Sequence, residues 1–241
     1  MTDVPDPDAP SGHDHHHADV SGGWLRAAVF GAMDGLVTNI ALVAGVGGGG
    51  GDRQTIILTG MAGLVAGAFS MALGEFASVD TQNDAVANEV AVEREEIRIH
   101  PQAEQAELAR MYEEMGLTPA TAEAMAREVH ANPELALKVH VAQELGVDVD
   151  DQPSPWVAAI SSFLCFAVGG LIPLVSFLLG SSSLPLALAV GAVGLFALGA
   201  LTSRFTTRTW LLSGVRQLGF GAIAAGATYL VGMLIGVGVT G

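Results

Sequence analysis

Cysteine is almost absent. Cys165 is the only one, so no disulfide can close within the chain and no Cys-x-x-Cys pattern exists. Positive charge is scarce too. Lys and Arg total 10 against 25 Asp and Glu, a net charge of −15. Nucleic-acid binding needs basic patches to neutralise phosphates, so that class is excluded and a cationic partner is favoured. The acids themselves stop at Asp151, and the apolar C-terminal third carries none. The first 23 residues, acidic and rich in Pro, Gly and His, lack the basic start of a signal peptide. The first apolar run is therefore expected to be retained as a span. Three catalytic signatures are also missing: no Ser-His-Asp pattern, no phosphate loop, and no Glu-x-x-His pair of the kind ferritin-like di-iron proteins use.

What is present is apolar length. Half of the residues are hydrophobic, mean hydropathy is +0.46 and there are 31 glycines. Such glycine enrichment suits membrane helices that pack closely. A span needs about 20 mainly apolar residues. Five stretches qualify, at 24–46, 55–79, 156–179, 184–203 and 214–239. Gly47 to Gly51 with Asp52 makes a tight loop between the first two. Ser181, Ser182, Ser183 and Pro185 do the same between the third and fourth. Arg26, the five basic residues of the middle segment, Arg204, Arg208 and Arg216 fall on one side of such a bundle, and Arg53 alone falls on the other. By the positive-inside rule the N-terminus and the middle segment face the cytoplasm. The expected fold is all-α: a five-span transmembrane helical bundle with a helical cytoplasmic insert between spans two and three. Residues 1–23 form a disordered acidic, His-rich tail, 24–79 the first two spans, 80–153 the insert and 156–239 the last three spans.

The insert punctuates itself. Span two continues as helix to about Ile99 and stops before Pro101. A second helix ends at Gly116. Thr118-Pro119 and Asn132-Pro133 each read as an N-cap followed by Pro at the first helical position, opening two more helices. Val147 to Pro155 is the linker back to the membrane.

Several residues carry chemistry. Asp34 lies in the middle third of the first span, where an ionisable group costs at least about 2.5–3.5 kcal/mol and marks function. Thr38 and Asn39 offer further oxygen ligands nearby. Met71 and Glu75 are spaced i, i+4 on one face of the second span. A thioether beside a carboxylate suits a borderline transition metal better than Mg²⁺ or Ca²⁺. In the insert, Glu89, Glu93 and Glu96 share a stripe, Glu104 and Glu107 form an i, i+3 pair, and His140 and Glu144 lie one turn apart. Charged stripes on short helices are commonly solvated faces. Here, however, 17 acids meet only 5 bases between residues 80 and 151, and such self-repulsion is costly unless cations bind. The interrupted tract of His13, His15, His16 and His17 reads as an inert tail or a weak metal-gathering one.

With these residues in view, the chain resembles the vacuolar iron transporter family. The resemblance runs from Trp24 to Gly236. It is carried most by Phe30-Gly31-Ala32-Met33-Asp34-Gly35-Leu36-Val37-Thr38 in span one and Gly67-Ala68-Phe69-Ser70-Met71-Ala72-Leu73-Gly74-Glu75 in span two. It implies a homodimer whose ion path lies between the subunits and which exchanges Fe²⁺ or a similar divalent ion for protons. It puts the family's pore Asp on Asp34, its pore Met on Met71, and its insert carboxylates on Glu93, Glu96, Glu104, Glu107 and Glu144. The chain also departs from the pattern. Gly63 stands where plant members carry a pore Glu, Glu75 where they tend to have Gly, and His140-Val141 where they have a Met pair.

The resulting expectation is a non-enzymatic antiporter in a bacterial plasma membrane that moves Fe²⁺ or Mn²⁺ out of the cytoplasm against protons. Its metal ligands are Asp34, Met71, Glu75, Glu93, Glu96, Glu104, Glu107, His140 and Glu144. Its partners are membrane lipid, divalent metal ions, protons and a second copy, with no nucleic acid and no cofactor beyond the transported ion. A metal channel or sensor without proton coupling uses the same ligands and stays open as a reading. A membrane-bound iron oxidase is a further alternative, disfavoured by the missing Glu-x-x-His motif.

Overall fold

A computed structural model of the chain describes residues 23–239. The N-terminal tail, with its His tract, lies outside the described residues. Every described element is helical: α1 Gly23–Gly48, α2 Arg53–Ile99, α3 Pro101–Glu114, α4 Pro119–His130, α5 Pro133–Glu144, α6 Pro155–Leu171, α7 Val175–Leu178, α8 Leu184–Thr202 and α9 Trp210–Val239. Five of the helical stretches are long and apolar enough to cross a membrane. The fifth begins at Trp210, earlier than the expected start at 214.

Helix α2 is the longest element, with 47 residues. At 1.5 Å per residue it spans about 70 Å, more than twice a ~30 Å hydrocarbon core. Its apolar first half fills the membrane, and the half bearing Glu89, Glu93, Glu95 and Glu96 projects beyond it. Asp52 starts the helix by accepting the Thr55 N–H at 2.8 Å, and Gly50, at φ +83°, makes the turn that precedes it. Pro101 ends it, because a proline cannot continue the hydrogen-bond ladder.

Helix α1 is the hub of the bundle, packed on α2, α6, α8 and α9. Two glycine contacts set how close it comes to its neighbours. At Gly35 a Cβ would overlap the Phe166 carbonyl of α6, and at Gly232 of α9 it would overlap the Gly45 carbonyl of α1. Backbone thus meets backbone on two sides of α1, where dispersion rather than a hydrophobic drive holds membrane helices together. Thr228 Oγ1 adds a hydrogen bond to the Ala41 carbonyl at 2.6 Å.

Asn39 has a role its sequence position does not suggest. It is buried and donates from Nδ2 to the Gly170 carbonyl at 2.6 Å. There α6 tightens into a 3₁₀ turn, Ile172–Leu174, around Pro173, which supplies no N–H. Its Nδ2 satisfies backbone at this break, while its Oδ1 is buried without a hydrogen bond.

Helices α3 and α5 fold back onto the projecting half of α2, and α4 packs against both of them. Leu108, Ala109 and Tyr112 of α3 pack on Ala122 and Ala126 of α4. Ala136, Leu137 and Val141 of α5 pack on Ile97 of α2. Asn132 caps α5 by accepting from the N–H groups of Glu134 and Leu135. Thr118 occupies the cap position of α4 without a side-chain cap bond, and its hydroxyl meets that of Thr121 at 2.9 Å. Asn83 Nδ2 donates to the Pro153 carbonyl at 3.0 Å, which ties the return linker to α2.

Candidate metal centre

The packing of α5 against α2 turns His140 inward. It follows Ala136 and Leu137 by one turn, so the apolar stripe that seals α5 to Ile97 buries the imidazole completely. Three acids meet it there. Nδ1 of His140 lies 3.1 Å from Glu93 Oε1, 3.1 Å from Glu144 Oε1 and 3.9 Å from Glu104 Oε2. Glu93 comes from α2, Glu104 from the first turn of α3, and Glu144 from α5 itself. One donor atom each from Glu93, Glu104 and His140 lies within 4.8 Å of the others.

The electrostatics are strained. Burial pushes the Glu93 carboxyl up to about 7, and the charges of Glu144 and Glu104 add to the rise despite His140. Glu104 is raised by burial first and by Glu107 next. Glu93 Oε1 is buried and, although close to His140, makes no hydrogen bond. Such a cluster holds protons or a cation. Three carboxylates with one imidazole form a mixed O/N donor set, which suits Fe²⁺, Mn²⁺ or Zn²⁺ better than Ca²⁺.

Glu96 and Glu107 stand just outside. Their charges reach Glu104, and that of Glu107 reaches Glu93 as well. Both side chains remain nearly half exposed. Glu107 is drawn toward Arg110 at 3.6 Å, and Glu96 sits 3.9 Å from His100. Glu89 is exposed on α2.

One neighbour is not singled out by sequence spacing. His130, the last residue of α4, places its Nε2 3.0 Å from Nε2 of His140, with the rings edge to face at 82°. Burial and His140 hold its pKa below the usual imidazole range. Ten residues and a turn separate the two histidines, so only the folding of α4 onto α5 joins them.

The membrane residues are arranged differently. Asp34 is exposed on the surface of the single chain and accepts one hydrogen bond, from Thr38 Oγ1 at 3.4 Å. Contacts of Leu42 with Gly63 and of Ala27 with Val79 set the antiparallel register of α1 and α2. By that register Asp34 is level with the Phe69–Ala72 turn of α2, which includes the half-buried Met71. Glu75 lies nearer the end of the span. It accepts from Arg26 at 2.7 Å, and the carboxylate side chain is only 10% exposed. The expected ligand set therefore divides into a compact cluster in the insert, a carboxylate and a thioether at one depth in the membrane, and an ion pair between them.

Comparison with known proteins places these residues in context. A profile of the VIT family matches residues 25–233. "Vacuolar iron transporter" of Acanthamoeba castellanii is 35% identical over 238 residues, covering 94% of this chain and 84% of that protein. "Vacuolar iron transporter 1" of Oryza sativa subsp. japonica is 30% identical over 229 residues, covering 92% of this chain and 91% of the relative. "Vacuolar iron transporter homolog 1" of the same plant is 35% identical over 220 residues, covering 89% of this chain and 75% of the relative.

Proposed function

The chain belongs to the VIT family, and on that premise we propose that it is a homodimeric antiporter that moves Fe²⁺ or Mn²⁺ out of the cytoplasm in exchange for protons. The observation that carries this reading is one helix. α2 presents Glu93 to the buried His140 cluster at one end and Met71 at the depth of Asp34 at the other. About 22 residues, or ~33 Å, separate Met71 from Glu93, so these are two sites in series.

The insert captures the ion. Each carboxylate must lose its proton to bind, so loading the cluster releases protons held near neutrality by Glu93. The ion then passes the Arg26–Glu75 pair at the mouth of the bundle and reaches Asp34 and Met71. Asp34 alternates between metal and proton, which couples the two fluxes. Its exposure on the single chain supports the dimer, because a bare carboxylate against lipid is costly and a second copy across the path would cover it. The names of the relatives refer to a vacuole, whereas the character of this chain favours a bacterial plasma membrane. In either setting the insert faces the cytoplasm and metal leaves it.

The test is uptake into proteoliposomes with Fe²⁺, Mn²⁺, Co²⁺ and Zn²⁺ across a pH gradient, with a pH dye inside. Metal entry with proton counterflow is expected. Metal flux with no proton movement would replace the antiporter by a channel, and no flux of any ion would remove transport altogether.

A further inference from the structure

His140 has two faces, and the carboxylates explain only one. Its Nδ1 looks at Glu93, Glu104 and Glu144. Its Nε2 looks away from them, at Nε2 of His130 3.0 Å off. Because His140 is fully buried, whichever ring nitrogen carries the proton must find an acceptor within the protein. Two acceptors compete for it. Glu144 takes a proton from Nδ1, at 3.1 Å, and His130 takes one from Nε2. The first arrangement places hydrogen on the nitrogen that faces the acids and blocks it as a ligand. The second leaves the Nδ1 lone pair aimed into the cluster.

We propose that His130 is a positioning residue of this centre: by accepting the Nε2–H of His140 it fixes the tautomer and ring orientation in which Nδ1 can bind a divalent transition metal. The inference rests on the reading of the cluster as a metal site. Metal-ligating imidazoles commonly donate their other N–H to a second group, and losing that group weakens metal binding about 10–100-fold. Here the second group is an imidazole, which can accept only while its own proton sits on Nδ1. In that tautomer the acceptor is His130 Nε2, the atom that faces His140 at 3.0 Å from the half-buried end of α4. The edge-to-face packing of the rings at 5.1 Å holds His140 from rotating away. Replacing His130 by a ring of similar size without nitrogen would strand the Nε2–H in a dry site. The proton then moves to Nδ1, where Glu144 receives it, and the centre keeps carboxylates but loses its nitrogen ligand.

The experiment uses the full-length protein in detergent and Mn²⁺ as the probe. Binding is titrated by calorimetry, and nitrogen coordination is read from the ¹⁴N modulation in pulsed EPR. His140→Ala identifies the part of that signal that belongs to this centre, and metal-free thermal midpoints report packing. His130→Phe is expected to weaken Mn²⁺ binding at the cluster by about 10–100-fold and to remove the His140-dependent ¹⁴N signal. His130→Gln, whose side-chain carbonyl can accept the same N–H, should restore most of both. Wild-type affinity and ¹⁴N signal in His130→Phe would overturn the proposal. So would equal losses in the Phe and Gln variants with matching drops in thermal midpoint, since packing alone would then account for them. A wild-type protein that binds no Mn²⁺ at a His140-dependent site would instead remove the metal reading of the cluster on which the proposal stands.

Discussion

The two halves of α2 solve the problem of holding charge in opposite ways. In the insert one chain is enough. Three helices bring Glu93, Glu104 and Glu144 around a fully buried His140, and burial raises the carboxyls of Glu93 and Glu104. In the membrane the single chain leaves its acid uncovered. Asp34 stays exposed and accepts from Thr38, at a depth where lipid cannot solvate it. On the proposed reading the insert is a self-contained capture site, expected to tolerate change without loss of flux. On the same reading the membrane site is shared between two copies, and the charge of Asp34 is expected to decide flux.

The sharpest way to break that contrast is Asp34→Asn, which keeps size and hydrogen bonding but removes the charge. The expected outcome is a folded dimer with no measurable metal flux and unaltered Mn²⁺ binding at the insert. Wild-type flux in proteoliposomes would end the central role of Asp34.

Gly232→Leu probes how each half is packed. The insert coheres through side chains, whereas α9 meets α1 backbone to backbone at Gly45. Overpacking ordinarily costs about 1–3 kcal/mol, and a clash with backbone exceeds that because no rotamer relieves it. The yield of folded protein and the thermal midpoint should fall together, while a matching insertion on an exposed face of α4, Ala124→Leu, should leave both unchanged. An unaltered midpoint in Gly232→Leu would show that this contact does not hold the bundle.

Within the insert, Glu93→Ala should weaken Mn²⁺ affinity by about an order of magnitude or more, because it removes the buried, unbonded oxygen of the cluster. Glu96→Ala should change it by less than about threefold, because that carboxylate is nearly half exposed and acts on the cluster only through its charge. With both replaced, flux should fall at scarce Fe²⁺ and largely survive at saturating Fe²⁺. Loss at every concentration, in a folded protein, would make the insert part of the obligatory path and dissolve the contrast drawn above.

The last effect is in pH. Glu93 titrates near 7 when folded and well below that when unfolded, so the folded state is the stronger proton binder. Its contribution to stability is complete below the unfolded pKa, fades as pH rises toward 7 and is gone above it. Metal-free protein should accordingly lose thermal stability between about pH 5 and 8, with bound Mn²⁺ restoring it. The metal competes with that proton, so affinity should rise with pH by up to about tenfold per unit below 7 and level off above it. A flat affinity profile would mean that Glu93 is ionised in the free protein.

Much of the centre was legible because helical spacing places residues on faces. The i, i+4 pair His140 and Glu144 and the stripe through Glu93 were visible as candidates for that reason. Spacing could not rank them. Glu96 and Glu93 share a stripe, yet only Glu93 reaches His140, because α5 crosses α2 at one level. Glu75 is a similar case. Its face and depth were legible, but its neighbour Arg26 comes from another helix 49 residues away in sequence and takes up the carboxylate. Asn39 read as an oxygen ligand near Asp34, and only the structure shows its Nδ2 tied to the broken end of α6.

Sequence by itself determined the class of this protein. Five apolar runs, the caps and prolines of the insert, and the uneven charge are local properties, and local hydrogen bonding and solvation are enough to turn them into helices and spans. Tertiary structure alone decided which charges are buried, which are paired, and that His130 stands behind His140. Those outcomes depend on which helix crosses which, and at what height. A difference of a few ångströms there separates a solvated acid from one whose proton a metal must displace, and no spacing along a single helix contains that distance.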